Sequence, residues 1–76
     1  MKRPNVSPWF AVGDRFCASQ RRPYAELEVW PCASGWSWRV DRIAAQSGAF
    51  AAVAEGIEPT QAAAKRAAVD SAAALR

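Results

Sequence analysis

Bulky and polar residues alternate most clearly at Trp36-Ser37-Trp38-Arg39-Val40. As a strand, this segment sends Trp36, Trp38 and Val40 one way, and Ser37, Arg39, Asp41 and then Ile43 the other. The same period runs from Tyr24 to Cys32, with Ala25, Leu27 and Val29 on one face and Tyr24, Glu26, Glu28 and Trp30 on the other. Ala33-Ser34-Gly35 has the length and the glycine of a hairpin connection. The two segments therefore predict an antiparallel pair whose shared buried face holds Leu27, Val29, Trp36, Trp38 and Val40. Pro31 suits the end of an edge strand.

Around this pair the pattern is less regular. Trp9 to Ser19 is apolar without clean alternation and suits two short extended pieces about a Gly13-Asp14 turn. Gln20-Arg21-Arg22-Pro23 is expected as a loop, because the residue before proline avoids the helical region. Gln46-Ser47-Gly48 predicts another turn, and Ala49 to Ile57 a further strand with Phe50 or Val53 facing inward. Thr60 is a suitable N-cap for an alanine-rich helix running to Arg76. At 100° per residue Ala63, Ala64, Ala67, Ala68, Ser71, Ala74 and Leu75 share one face of that helix, with Lys65, Arg66, Asp70 and Arg76 off it. Residues 1–8, with two prolines and little apolar content, predict a mobile arm. The expectation is one α+β domain over residues 1–76: a three- or four-stranded antiparallel sheet packed on one C-terminal alanine-rich helix.

Composition changes the picture of the core. Eighteen residues are alanine, against two leucines and two isoleucines. Trp9, Trp30, Trp36, Trp38, Phe10, Phe16, Phe50 and Tyr24 are therefore expected to fill most of it, each with roughly 150–250 Å² to bury. A core this thin leaves room for a partner, or a second copy in a homodimer, to cover part of the sheet. The net charge is +3, and the excess is N-terminal: residues 1–42 hold seven Lys/Arg against four Asp/Glu. Such a balance suits nucleic acid or an acidic protein surface.

The chain has no histidine, so a zinc site and the Ser-His and Cys-His pairs are excluded. Cys17 and Cys32 lack CxxC spacing and are expected as thiols. The start of the chain leads into no apolar run, and the run from Ala49 to Ala54 is far short of the roughly 20 residues that span a bilayer. These features predict a cytoplasmic protein with no membrane partner. Only Glu26 and Glu28 pair among the carboxylates, side by side on an outward strand face, and no glycines form a phosphate loop. The chain is expected to be a non-enzyme with no cofactor and no metal.

Two sets of aromatics are candidates for recognition. Trp36 and Trp38 have the spacing of a base-stacking platform, but they lie on the face that the helix must cover. Trp30 falls on the opposite face, near Tyr24 and the Arg21-Arg22 pair in sequence, and Trp, Tyr and Arg are the residue types enriched at binding hot spots. The candidate partner-binding residues are thus Arg21, Arg22, Tyr24, Trp30 and Arg39. The alternative is that Trp9 or Phe10 covers Trp30. Arg15, Arg21, Arg22, Arg39 and Arg42 are either one basic surface beside it or five solvated side chains.

The pattern Trp36-x-Trp38-x-Val40, then Gly48 or Gly56, then Thr60-x-x-Ala63 with alanines onward, resembles short phage and prophage proteins built of a three-stranded sheet and one helix. Such proteins include anti-CRISPR inhibitors. The resemblance implies a non-catalytic protein that binds and inhibits a host protein or nucleoprotein complex; a basic member would meet an acidic protein surface or the nucleic acid of the complex. The alternative is a small basic nucleic-acid-binding domain.

Overall fold

The computed structural model describes residues 4–44 and 47–75. Strands β1 (Phe10–Val12), β2 (Arg15–Arg21), β3 (Tyr24–Cys32), β4 (Gly35–Ile43) and β5 (Phe50–Glu58) form an antiparallel sheet in that spatial order, and helix α1 (Gln61–Ala73) packs on one side of it. The fold is α+β, with five strands rather than three or four. The difference lies in residues 9–21. Gly13, at φ +63°, makes the turn with Asp14 that folds this stretch into the β1–β2 hairpin. Gln20 and Arg21, expected in a loop, continue β2 opposite Ala25 and Tyr24, so only Arg22-Pro23 forms the connection.

The predicted β3–β4 hairpin is present. Leu27 faces Val40 and Val29 faces Trp38, all on the helix side. β3 is the central strand, not an edge. Pro31 is accommodated because the β2 ladder ends at Phe16 opposite Val29, so beyond it no strand on that side needs the missing N–H. At the hairpin turn Gly35 has φ +139°, and a Cβ there would collide with the Glu58 carbonyl oxygen at the end of β5. Glycine thus lets the turn approach the strand two positions away in the sheet order from β3.

The core is less aromatic than the composition suggested. Its largest fully buried side chains are Leu27, Gln20, Val29 and Val40, joined by Ala18, Ala25, Ala64, Ala68, Ala72 and a single nearly buried indole, Trp38. Alanines at i, i+4 and i+8 of α1 let the helix lie close to the sheet, so small and branched side chains fill the layer. Ala72, absent from the expected face, is fully buried, and Ala74, expected on it, is exposed. Thr60 caps the helix as predicted, its Oγ1 accepting from the Ala63 amide at 3.1 Å. Trp9, Phe16 and Trp36 are half-buried at the margin of this core. Phe16 and Trp36 are 6.4 Å apart, and Lys65 Nζ stands 4.2 Å from the Phe16 ring and 5.5 Å from Trp9.

Neither Phe50 nor Val53 is inward; both are about half exposed, and Ala54 and Gly56 occupy the helix side of β5. Of the N-terminal arm, Asn5, Val6 and Ser7 are hydrogen-bonded along β2: the Arg21 amide donates to Asn5 O at 2.8 Å and the Ser7 amide to Ser19 O at 2.9 Å. Gln46 lies outside the described residues. Among the described residues no helix is long and apolar enough to cross a membrane.

Candidate functional interface

One side of the sheet carries α1 and the other carries no element among the described residues. The strand registers decide what this open face presents. Phe10 and Val12 of β1 lie opposite Cys17 and Arg15 of β2. Cys17 lies opposite Glu28, Trp30 opposite Ser37, and Ser37 opposite Ile57. Because paired residues share a face, all of these point away from the helix. So do Tyr24, Glu26, Arg39, Asp41, Ile43, Phe50 and Glu55. Among the described residues, every exposed large apolar side chain except Val53 lies on this face: Phe10, Val12, Tyr24, Ile43, Phe50 and Ile57.

At the centre of this face Glu28 and Arg39 belong to a charged network that reaches Trp30, towards the far end of β3. The Arg15 guanidinium lies 4.9 Å from the centre of the indole and the Arg39 guanidinium 5.9 Å from it. Arg15 Nη1 meets Glu28 Oε2 at 3.0 Å, Arg39 Nη2 meets Glu28 Oε1 at 3.5 Å, and Arg39 Nε meets Asp41 Oδ1 at 3.1 Å. Two cations on one ring, each tied to a carboxylate, hold a half-buried indole in a set position. Beside it the small Ser37 leaves a groove of about 270 Å³ between Trp30 and Ile57. A second groove of about 320 Å³ lies between Phe10 and Arg39 and is bordered by Glu26, Glu28 and Asp41.

The potential here is not that of a basic surface. Arg15, Arg21 and Arg39 are interleaved with Glu26, Glu28, Asp41 and Glu55. The Cys17 thiol is pushed above its ordinary range by burial, then by the Glu28 and Glu26 carboxylates. The Tyr24 hydroxyl donates to Glu26 Oε1 at 2.6 Å, and this bond, more than burial, pushes its ionisation up. At the far end of β3 the Cys32 thiol is lowered, chiefly by its hydrogen bond with Ser37 and also by the Ser34 and Gly35 backbone. Both thiols are free.

Of the five residues expected to bind, Arg21, Tyr24, Trp30 and Arg39 share the open face. They do not form one cluster. Arg21 faces Tyr24 at one end of β3, six residues from Trp30, which is roughly 20 Å along a strand. The guanidiniums flanking Trp30 are those of Arg15 and Arg39, not the Arg21-Arg22 pair. Arg22 sits in the turn, where its amide donates to Asn5 Oδ1 at 3.1 Å and its carbonyl accepts from Asn5 Nδ2 at 2.9 Å. Neither Trp9 nor Phe10 covers Trp30: Trp9 packs on the helix side beside Lys65, and Phe10 extends the open face. Trp36 and Trp38 are on the helix side, which leaves the stacking-platform reading without a surface. The contributions of Phe10, Val12 and Arg15 were hidden in the sequence because Trp9 to Ser19 lacks clean alternation, so the expected Gly13-Asp14 turn did not by itself fix their face. No family model, curated protein or solved structure matches this chain.

Proposed function

We propose that the chain is a non-enzymatic interaction domain that docks on a protein surface of a larger host assembly through the open face of its sheet. The observation that carries this is Trp30, held between Arg15 and Arg39 towards one end of the central strand, on a face whose margin is apolar and whose charges alternate in sign. A fixed indole with arginine beside it is the composition of a binding hot spot, and exposed Phe10, Val12 and Ile57 supply the surrounding apolar contact. The likeness to short phage inhibitors suggests the kind of assembly, a host nucleoprotein complex, and the effect, its inhibition by occupancy. Binding directly to nucleic acid is less well supported. It needs a track of cations available to phosphates, and here Arg15 and Arg39 are already engaged with Glu28 and Asp41.

Affinity capture from bacterial lysate, run with and without nuclease, tests the reading. The expected result is a discrete protein partner retained by the wild type and by Arg66→Ala, on the exposed outer side of α1, and lost with Trp30→Ala. Retention of nucleic acid alone, or equal capture by Trp30→Ala, contradicts it.

A further inference from the structure

The outer edge of β5 is a long stretch of main chain with no neighbouring strand among the described residues. β1, at the opposite edge of the sheet, is three residues long; β5 runs for nine and has only β4 beside it. An edge of that length accepts another strand unless proline, lysine or a bulge prevents it. β5 contains no proline, lysine or arginine, but it does carry a bulge. Val40 faces Ala54 and Asp41 faces Ala52, so Val53 is an extra residue.

The bulge selects what the edge can take. It breaks the alternation of side chains, so that Phe50 and Ala52 share the open face with Glu55 and Ile57, and Ala51 shares the helix side with Gly56. A regularly alternating strand matches one half of this edge and presents the wrong faces to the other. An antiparallel second β5 carries the same break. When Phe50 stands opposite Ile57 of the second copy, Ala51 falls opposite Gly56 and Ala52 opposite Glu55, each pair sharing a face, and the two bulges meet at the axis. A slip of one residue puts open-face residues against helix-side ones throughout. Charge agrees with this register: Glu55 and Glu58 meet Ala52 and Ala49 of the second copy, so no like charges are opposed. Phe50 and Ile57, 51% and 55% exposed, become a cross-strand apolar pair that the two-fold axis makes twice.

We propose that the chain forms a two-fold homodimer by antiparallel pairing of β5 with β5, which joins two five-stranded sheets into one and places their open faces side by side. This does not depend on the identity of any other partner. Light scattering on the purified chain tests it first, with a mass twice the 8.2 kDa of one chain expected. In a Cys17→Ser/Cys32→Ser background, Phe50→Cys mixed with Ile57→Cys should form a disulfide-linked dimer on oxidation. Each variant alone should not, because identical positions then lie seven residues apart across the axis, well beyond disulfide reach. In the same way, Phe50→Lys/Ile57→Lys should be monomeric with an unchanged circular dichroism spectrum, and Phe50→Lys/Ile57→Glu should dimerise. A folded wild-type monomer, or a dimer that never links position 50 to position 57, overturns the proposal.

Discussion

The indole of Trp38 lies across the backbone of Gly56, its register partner on β5, and its Nε1 donates to Glu58 Oε2 at 3.3 Å. A Cβ on Gly56 would stand 2.8 Å from that nitrogen and 2.9 Å from two ring carbons. The glycine is therefore a space for the one aromatic ring in the buried core, and no unusual φ requires it. Gly56→Ala is expected to cost about 1–3 kcal/mol in urea or thermal unfolding by forcing the ring to move. In a Trp38→Leu background the same change should cost nothing or stabilise slightly, since the obstruction is gone and the unfolded chain loses freedom.

Trp38→Ala should itself cost about 3–5 kcal/mol by leaving a cavity under α1. In a domain with a total stability of roughly 5–15 kcal/mol, much of the population then unfolds on mild heating. A variant that keeps the wild-type melting temperature contradicts the core position of this indole.

Gln20 is 1% exposed, and its Nε2 donates to Pro23 O and to Ala72 O, both at 2.9 Å. It ties the β2–β3 turn to the last turn of the helix. Gln20→Ala leaves the Ala72 carbonyl without this donor and is expected to cost about 1–3 kcal/mol. Hydrogen exchange should show the loss at the C-terminal end of α1 before the rest of the helix.

These two buried positions show what sequence could and could not reveal. Trp38 was legible because β4 alternates strictly, and its sharing of a buried face with Val29 followed from a short hairpin. Thr60 and the alanine helix were legible from local chemistry alone. Gln20 was not, since a polar residue beside Arg21-Arg22-Pro23 resembles a loop until the carbonyl of Ala72, 52 residues away, is brought to it. The aromatic core failed for a related reason. Alanine on α1 brings helix and sheet close together, so apart from Trp38, which has the space of Gly56, the bulky rings lie at the margin, as Phe16 and Trp36 do, or on the other side, as Phe10 and Phe50 do. The face of Trp30 was readable from period two; its neighbours Arg15 and Arg39 come from strands on either side and depended on the sheet order.

Trp30→Ala should lower stability by about 1–2 kcal/mol, the scale of two cation–π contacts at a partly exposed ring. The contrast with Trp38→Ala, measured in the same buffer, separates the open side of the sheet from the packing side. Equal losses for the two variants contradict that division.

The two thiols should differ in reactivity. Alkylation proceeds through the thiolate, so Cys32, lowered by Ser37, should react faster than Cys17 at pH 7–8, with its rate levelling off at a lower pH. Peptide mass spectrometry after timed alkylation checks this order. Ser37→Ala should slow Cys32 and leave Cys17 unchanged.

The proposed docking surface is the open face of the sheet. A photo-crosslinking residue placed at Phe10 or Tyr24 on that face, and at Arg66 or Asp70 on the outer side of α1, tests this in the cells that hold the partner. A discrete protein adduct is expected from Phe10 and Tyr24, lost when Trp30→Ala is added, and none from Arg66 or Asp70. Adducts formed only from the helix positions, or only with nucleic acid, would contradict it.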